Sequence, residues 1–130
     1  MPVRVEKLPN EPIIILTYEG RLDVETVRSA FLQSAAIAEQ IAGLVYRISD
    51  VRRADADFAH VLKVVAEIRK GLPGSSADPR IRGMFVGTSA MAKLYADILR
   101  QQALGGVSIP FFFTPEDALA SIRIQMNVKS

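Results

Sequence analysis

Ile81-Arg82-Gly83-Met84-Phe85-Val86-Gly87-Thr88-Ser89, with Ala90 to Gln102 behind it, is the stretch that decides how this chain is read. The apolar run has the length and composition of a buried strand, and Gly87-Thr88-Ser89 turns it into an amphipathic helix. Met91, Leu94, Tyr95, Ile98 and Gln102 mark the inner stripe of that helix. Gly105-Gly106 then turns the chain into a second apolar run, Val107–Phe113. Strand, helix and strand make one β-α-β unit, the signature of a parallel sheet. Pro110 interrupts the second run and has no N–H to give a ladder, so that strand is expected at a sheet edge.

The same alternation extends towards the N-terminus. Ile13–Tyr18 reads as a strand buried on both faces, and Val3–Lys7 alternates weakly like a half-exposed edge strand. Pro9 and Pro12 bracket a polar turn between them, so the two should form a hairpin. Glu19-Gly20-Arg21 is expected to end the second strand. Asp23 is a natural N-cap for a helix with Val24, Val27, Phe31, Ala35, Ala38 and Ile41 on its inner stripe, and Gly43 is its expected stop. Leu44–Ile48 is the next strand, ending in Ser49-Asp50. Asp55 or Asp57 caps a further helix through Phe58, Val61, Leu62, Val65 and Ile68. Leu72 to Pro79, with two prolines and Gly74, reads as a surface loop.

Towards the C-terminus, Thr114-Pro115-Glu116-Asp117 is a strong local helix start: threonine caps, proline takes the first helical position, and Asp117 stands where a capping box closes. Ala118, Leu119, Ile122 and Met126 follow at helical spacing. The fold expected is α/β: a five-stranded mixed sheet with about four helices, forming a single domain over residues 1–130.

Composition narrows the function classes. A hydrophobic fraction of 49% is that of a packed domain rather than a disordered chain. No apolar run approaches a membrane span, and Arg4, Glu6 and Lys7 occupy the place of a signal peptide's apolar stretch, so a cytoplasmic protein is expected. The absence of cysteine excludes disulfides and thiolate metal sites, and a single histidine excludes a histidine-rich metal centre within one chain. Residues 1–70 carry ten basic and ten acidic side chains and residues 71–130 carry six and four. Positive charge is therefore not concentrated as nucleic-acid binding requires, and neither a nucleic-acid partner nor a cofactor is expected.

In an open parallel sheet, ligands and partners gather beyond the carboxyl ends of the strands. Those ends hold Glu19 and Arg21, the charged run Asp50, Arg52, Arg53, Asp55 and Asp57, then Thr88 and Ser89, then Thr114. Asp50 and Asp57 could serve as a metal pair or an acid–base pair, or could cap a helix and be neutralised by the two arginines. Gly87-Thr88-Ser89 could hold a phosphate on free N–H groups, but lacks the glycine spacing and lysine of a nucleotide loop. His60 has no nucleophile elbow to accompany it. Phe111-Phe112-Phe113 could stack a base or fill a core.

The order β-β-α-β-α-β-α-β-α resembles the STAS domain of anti-sigma-factor antagonists. The segments carrying the likeness are Arg82–Thr88, Met91-Ala92-Lys93-Leu94, Ile109–Phe113 and Glu116-Asp117-Ala118-Leu119, which are similar to SpoIIAA-like bacterial proteins. The resemblance spans roughly residues 12–125. It implies strands in sequential spatial order in a (βα)n superhelix, and a protein that docks to a partner such as a kinase-like anti-sigma factor. In that family the control point is a serine or threonine at the start of the second helix, reached through an Asp-Ser motif. Here the matching stretch is Ile48–Asp57, with Asp55 or Asp57 where the phosphorylated residue is expected. The resulting expectation is a non-catalytic regulatory interaction module whose docking surface comprises Asp50, Arg52, Arg53, Asp55 and Asp57, with Thr88 and Ser89 nearby. Two other readings stand beside it: a small apolar-ligand or lipid-binding domain, and a carboxylate-dependent enzyme. A homodimer through Leu99, Leu104 and Val107 is a further expectation.

Overall fold

A computed structural model describes residues 3–55, 63, 66, 74, 78–93 and 109–128. Its strands are β1 (Val3–Lys7), β2 (Ile13–Arg21), β3 (Val45–Asp55), β4 (Ile81–Val86) and β5 (Phe111–Phe112). They lie side by side in chain order as one five-stranded sheet. β1 runs antiparallel to β2, and every later neighbour is parallel. Both sequence expectations about position hold: Ile13–Tyr18 lies inside the sheet, and the strand after Pro110 forms its far edge.

Two helices are described in full, α1 (Val24–Glu39) and α2 (Pro115–Val128). Residues 89–93 are helical, as are residues 63 and 66. The remainder of the second and third expected helices, including Asp57, His60, Leu99, Leu104 and Val107, lies outside the described residues.

Alternation along the strands assigns one core to each face. Ile14, Leu16, Tyr18 and Val45 pack with Val27, Ala30, Phe31 and Ala38 of α1. Ile13, Tyr46, Ile48, Met84 and Val86 pack with Ala118 and Ile122 of α2. Both helices start as the sequence predicts. The Thr26 N–H donates to Asp23 Oδ1 at 2.8 Å, and the Asp117 N–H donates to Thr114 Oγ1 at 3.1 Å.

Four sequence expectations need correction. β2 does not end at Tyr18: one extra residue in β3 opposite it shifts the register, and Glu19, Gly20 and Arg21 continue pairing with Arg53, Ala54 and Asp55. β3 accordingly runs through the charged stretch that the sequence reads as a loop, with Asp55 as its last residue, and the start of the helix expected after it lies outside the described residues. α1 stops at Glu39, four residues short of Gly43. The stretch Leu72–Pro79 is not wholly a surface loop either, because Gly74 and Asp78 are buried.

That last correction has a clear cause. Arg47 points from β3 under α1, is only 1% exposed, and holds its guanidinium 5.3 Å from the Phe31 ring centre. Its Nη1 donates to the Gly74 carbonyl. The Gly74 N–H donates to Asp78 Oδ2 at 2.8 Å, and Asp78 in turn receives the Arg80 backbone N–H and a two-pronged guanidinium contact. A buried cation costs several kcal/mol without partners. The Gly74 carbonyl and the charge of Asp78 supply them. Burial lowers Arg47 to a pKa of about 10, with Tyr18 and Asp78 opposing the shift. Tyr18, enclosed beside it, is raised to about 12 by burial.

Candidate functional site

The carboxyl ends of β2, β3 and β4 bring most of the predicted residues to one end of the sheet. In register, Thr17 of β2, Asp50 of β3 and Val86 of β4 stand abreast. Beyond Val86, Gly87 is buried, and a Cβ there would come within 2.8 Å of Phe111 and 3.4 Å of Val51. A side chain at Gly87 would have to displace the tip of the Phe111 ring.

Asp50 is the best-held charge at this end. Its Oδ1 accepts the Arg52 backbone N–H at 3.1 Å and Arg52 Nε at 3.0 Å, while its Oδ2 accepts Arg52 Nη2 at 2.9 Å. The carboxylate is nearly enclosed, its side chain 10% exposed, whereas that of Arg52 is 41% exposed. Such a fork fixes orientation as well as charge. Arg52 is pushed above its ordinary pKa, first by the hydrogen bonds to Asp50 and then by the negative charges of Asp50 and Glu116. Glu116 opens α2, so Arg52 sits under the influence of a carboxylate on the neighbouring helix start.

Arg53 reaches to the neighbouring strand instead. Its Nη1 meets Glu19 Oε1 at 3.4 Å across the β2–β3 pair, with both side chains more than half exposed. Asp55 is exposed opposite Arg21. Thr88 caps the helical residues after it, its Oγ1 accepting the Met91 N–H at 3.2 Å and its carbonyl accepting the Ala92 N–H at 2.9 Å. Ser89 is exposed beside it. The structure therefore divides the predicted charged group into two pairs: Asp50 with Arg52 near the start of α2, and Arg53 with Glu19 across the β2–β3 pair. Asp57 lies outside the described residues.

Glu116 is the residue that the sequence reading used only for helix capping. The signal available was its position directly after Thr114-Pro115, which sets the helix start, but which strand end it would meet depends on the strand order. Phe113 is also at this end. It is 57% exposed and packs edge-on to Phe111, with ring centres 6.2 Å apart, so it is not part of the core that its two neighbours help to form.

As chemistry, the site offers a charged, hydrogen-bonded surface. Among the described residues no three acidic, histidine or cysteine side chains gather where they could hold a metal ion. A groove of about 620 Å³ between α1 and the β1–β2 hairpin is lined largely by polar side chains, Val3 and Val5 being its apolar members. Among the described residues, no helix is long and apolar enough to cross a membrane.

Comparison with solved structures defines the fold class. The anti-sigma-factor antagonist SpoIIAA in its unphosphorylated form superposes with a TM-score of 0.57 at 18% identity, covering 93% of this chain and 96% of that one. An uncharacterised protein of the DUF3478 family from Shewanella loihica, itself of SpoIIAA-like fold, gives 0.56 at 14% identity over 91% and 90%. An anti-sigma-factor antagonist from Mycobacterium paratuberculosis gives 0.54 at 14% identity over 93% and 92%. This chain has a SpoIIAA-like, STAS-type fold. No family model matches the sequence, and no curated protein matches it.

Proposed function

We propose that this chain is a non-catalytic interaction module of bacterial regulation, docking to a regulatory protein through the Asp50–Arg52 end of the sheet. The observation that carries the reading is the Asp50–Arg52 fork. A carboxylate engaged by three donors of one arginine is poor acid–base machinery, which needs groups held at contrasting protonation states. As a docking element the same pair is well suited. It presents a fixed, half-exposed guanidinium framed by Glu116, and it selects a partner by charge and register. The likeness to two anti-sigma-factor antagonists supports a partner of the anti-sigma or kinase-like class.

The usual phosphoserine control is replaced in this reading by a constitutive surface, since the matching stretch carries carboxylates. Thr88 and Ser89 belong to its rim. Arg53, already paired with Glu19, and Asp55, at the end of β3, contribute less.

Affinity capture of a partner from the native cell, followed by titration with that purified protein, tests the proposal. Arg52→Glu is expected to weaken binding by roughly thirty-fold, the equivalent of about 2 kcal/mol. Arg53→Glu should bind nearly as wild type, and circular dichroism should show both variants folded. Equal binding by Arg52→Glu, or a hydrolytic activity of the wild type that disappears in Asp50→Asn, overturns the assignment.

A further inference from the structure

We propose that the β1 edge is the pairing surface for a second copy of this chain, joining two sheets into one across a two-fold axis at Val5. Among the described strands β1 is the outermost at its side of the sheet. Its hydrogen-bonding parity can be read from the hairpin. The Leu8 N–H donates to the Ile13 carbonyl at 2.9 Å, so positions 8, 6 and 4 face β2, and Val3, Val5 and Lys7 direct their backbone groups outward. The bond from the Tyr46 N–H to the Pro12 carbonyl fixes the same parity from the other side of β2, because even-numbered residues there turn towards β3.

An exposed row of donors and acceptors is a template for another strand. The sequence Val3-Arg4-Val5-Glu6-Lys7 is complementary to itself when reversed. With Val5 opposite Val5 of the second copy, each outward-facing residue exchanges both N–H···O bonds with its opposite residue. Arg4 then stands opposite Glu6 of the second copy, and Glu6 opposite its Arg4. These are the non-hydrogen-bonded positions, where opposed side chains come closest. Arg4 and Glu6 already meet within one strand at 2.6 Å. Pairing two copies would close that contact into a ring of four alternating charges.

The flank of α1 beside this edge fits the same occupant. Thr26, Ser29 and Gln33 line the groove over Val3 and Val5 without charge, and Glu25 of α1 adds an acidic side chain at its border. Lys7, which would otherwise guard the edge, turns its ammonium to the Leu8 carbonyl at 2.9 Å. The Asp50–Arg52 end involves β3 and α2 rather than β1, so pairing leaves the proposed docking surface open.

Sedimentation velocity at about 100 µM, a concentration suited to weak strand pairing, tests the idea with a charge swap. Wild type is expected at twice the 14.2 kDa of one chain. Arg4→Glu alone and Glu6→Arg alone place like charges opposite each other, and each should associate at least tenfold more weakly. An equimolar mixture of the two single variants restores Arg4–Glu6 complementarity across the axis and should sediment as the dimer. Wild type remaining a single chain overturns the proposal and leaves the edge to a strand of another protein. Single variants that dimerise as wild type do overturn it too, as does a mixture that fails to recover.

Discussion

At Gly74 an alanine Cβ would stand 1.8 Å from the Phe31 carbonyl oxygen and 2.9 Å from the Ala35 nitrogen, both backbone atoms of α1. The residue also has a φ of 81°, which a side chain disfavours. Gly74→Ala is therefore expected to destabilise the protein by about 3 kcal/mol, adding overpacking to a left-handed backbone, as read from denaturant midpoints at constant m-value. Asp78, four residues on, is held well below the ordinary carboxylate range, first by the Arg80 guanidinium and then by the Gly74 and Arg80 N–H groups against an opposing burial effect. The unfolded chain thus takes up this proton first. Stabilisation from Asp78 is full above the ordinary value near 3.8 and is lost as pH falls below it. The melting-temperature gap between wild type and Asp78→Asn should be wide at neutral pH and narrow below pH about 3; a gap constant with pH would show that the carboxylate charge is immaterial. None of this was legible beforehand. Arg47 reads as one polar residue in an apolar strand, and its Gly74 partner lies 27 positions away in a stretch whose prolines and serines look like plain surface.

Element boundaries were legible where they rest on neighbouring residues. Thr114-Pro115 starts α2 because the cap bond spans three positions, so the signal is complete in the sequence. Thr114→Ala should cost about 1 kcal/mol in thermal unfolding, by leaving the Asp117 N–H without its acceptor; an unchanged midpoint would mean that water replaces the hydroxyl. Strand ends depend on partners elsewhere, and there the reading fell short. Asp50, Arg52, Arg53 and Asp55 look like loop residues because charge seldom extends a strand. They continue β3 because Arg52 turns back onto Asp50, Arg53 finds Glu19 across the pair, and β3 takes up one extra residue opposite Tyr18. The candidate docking residues were thus found by type, but their division into two separate ion pairs was set by pairing register. β5 shows the reverse case, its position predicted and its length cut to two residues between Pro110 and the Thr114 cap.

Across the whole molecule, sequential strand order places the most apolar segments inside and leaves the mixed ones at the rims. Residues Val45–Asp50 are all buried, pair with β2 on one side and β4 on the other, and contribute to both cores. Among the described residues β1 and β5 each have one sheet neighbour, and β5 contributes Phe111 and Phe112 to the ladder. Local opening therefore costs least at the edges, while exposing β3 requires separating both helices and two strand pairs. Native-state hydrogen exchange should rank accordingly: residues 45–50 exchange only through global unfolding, β2 and β4 follow closely, and β1 and β5 open at free energies several kcal/mol lower. The ranking bears on both proposed surfaces. Arg52 lies on the outer part of the most protected strand, so a partner that docks there meets a preformed site and loses little to ordering. β1, by contrast, should gain protection when two copies pair, and the gain should grow with protein concentration. Protection of the outward-facing Val3, Val5 and Lys7 amides that stays constant across a hundred-fold concentration range would assign them to the single chain, while a rise confined to those three would identify the edge that closes.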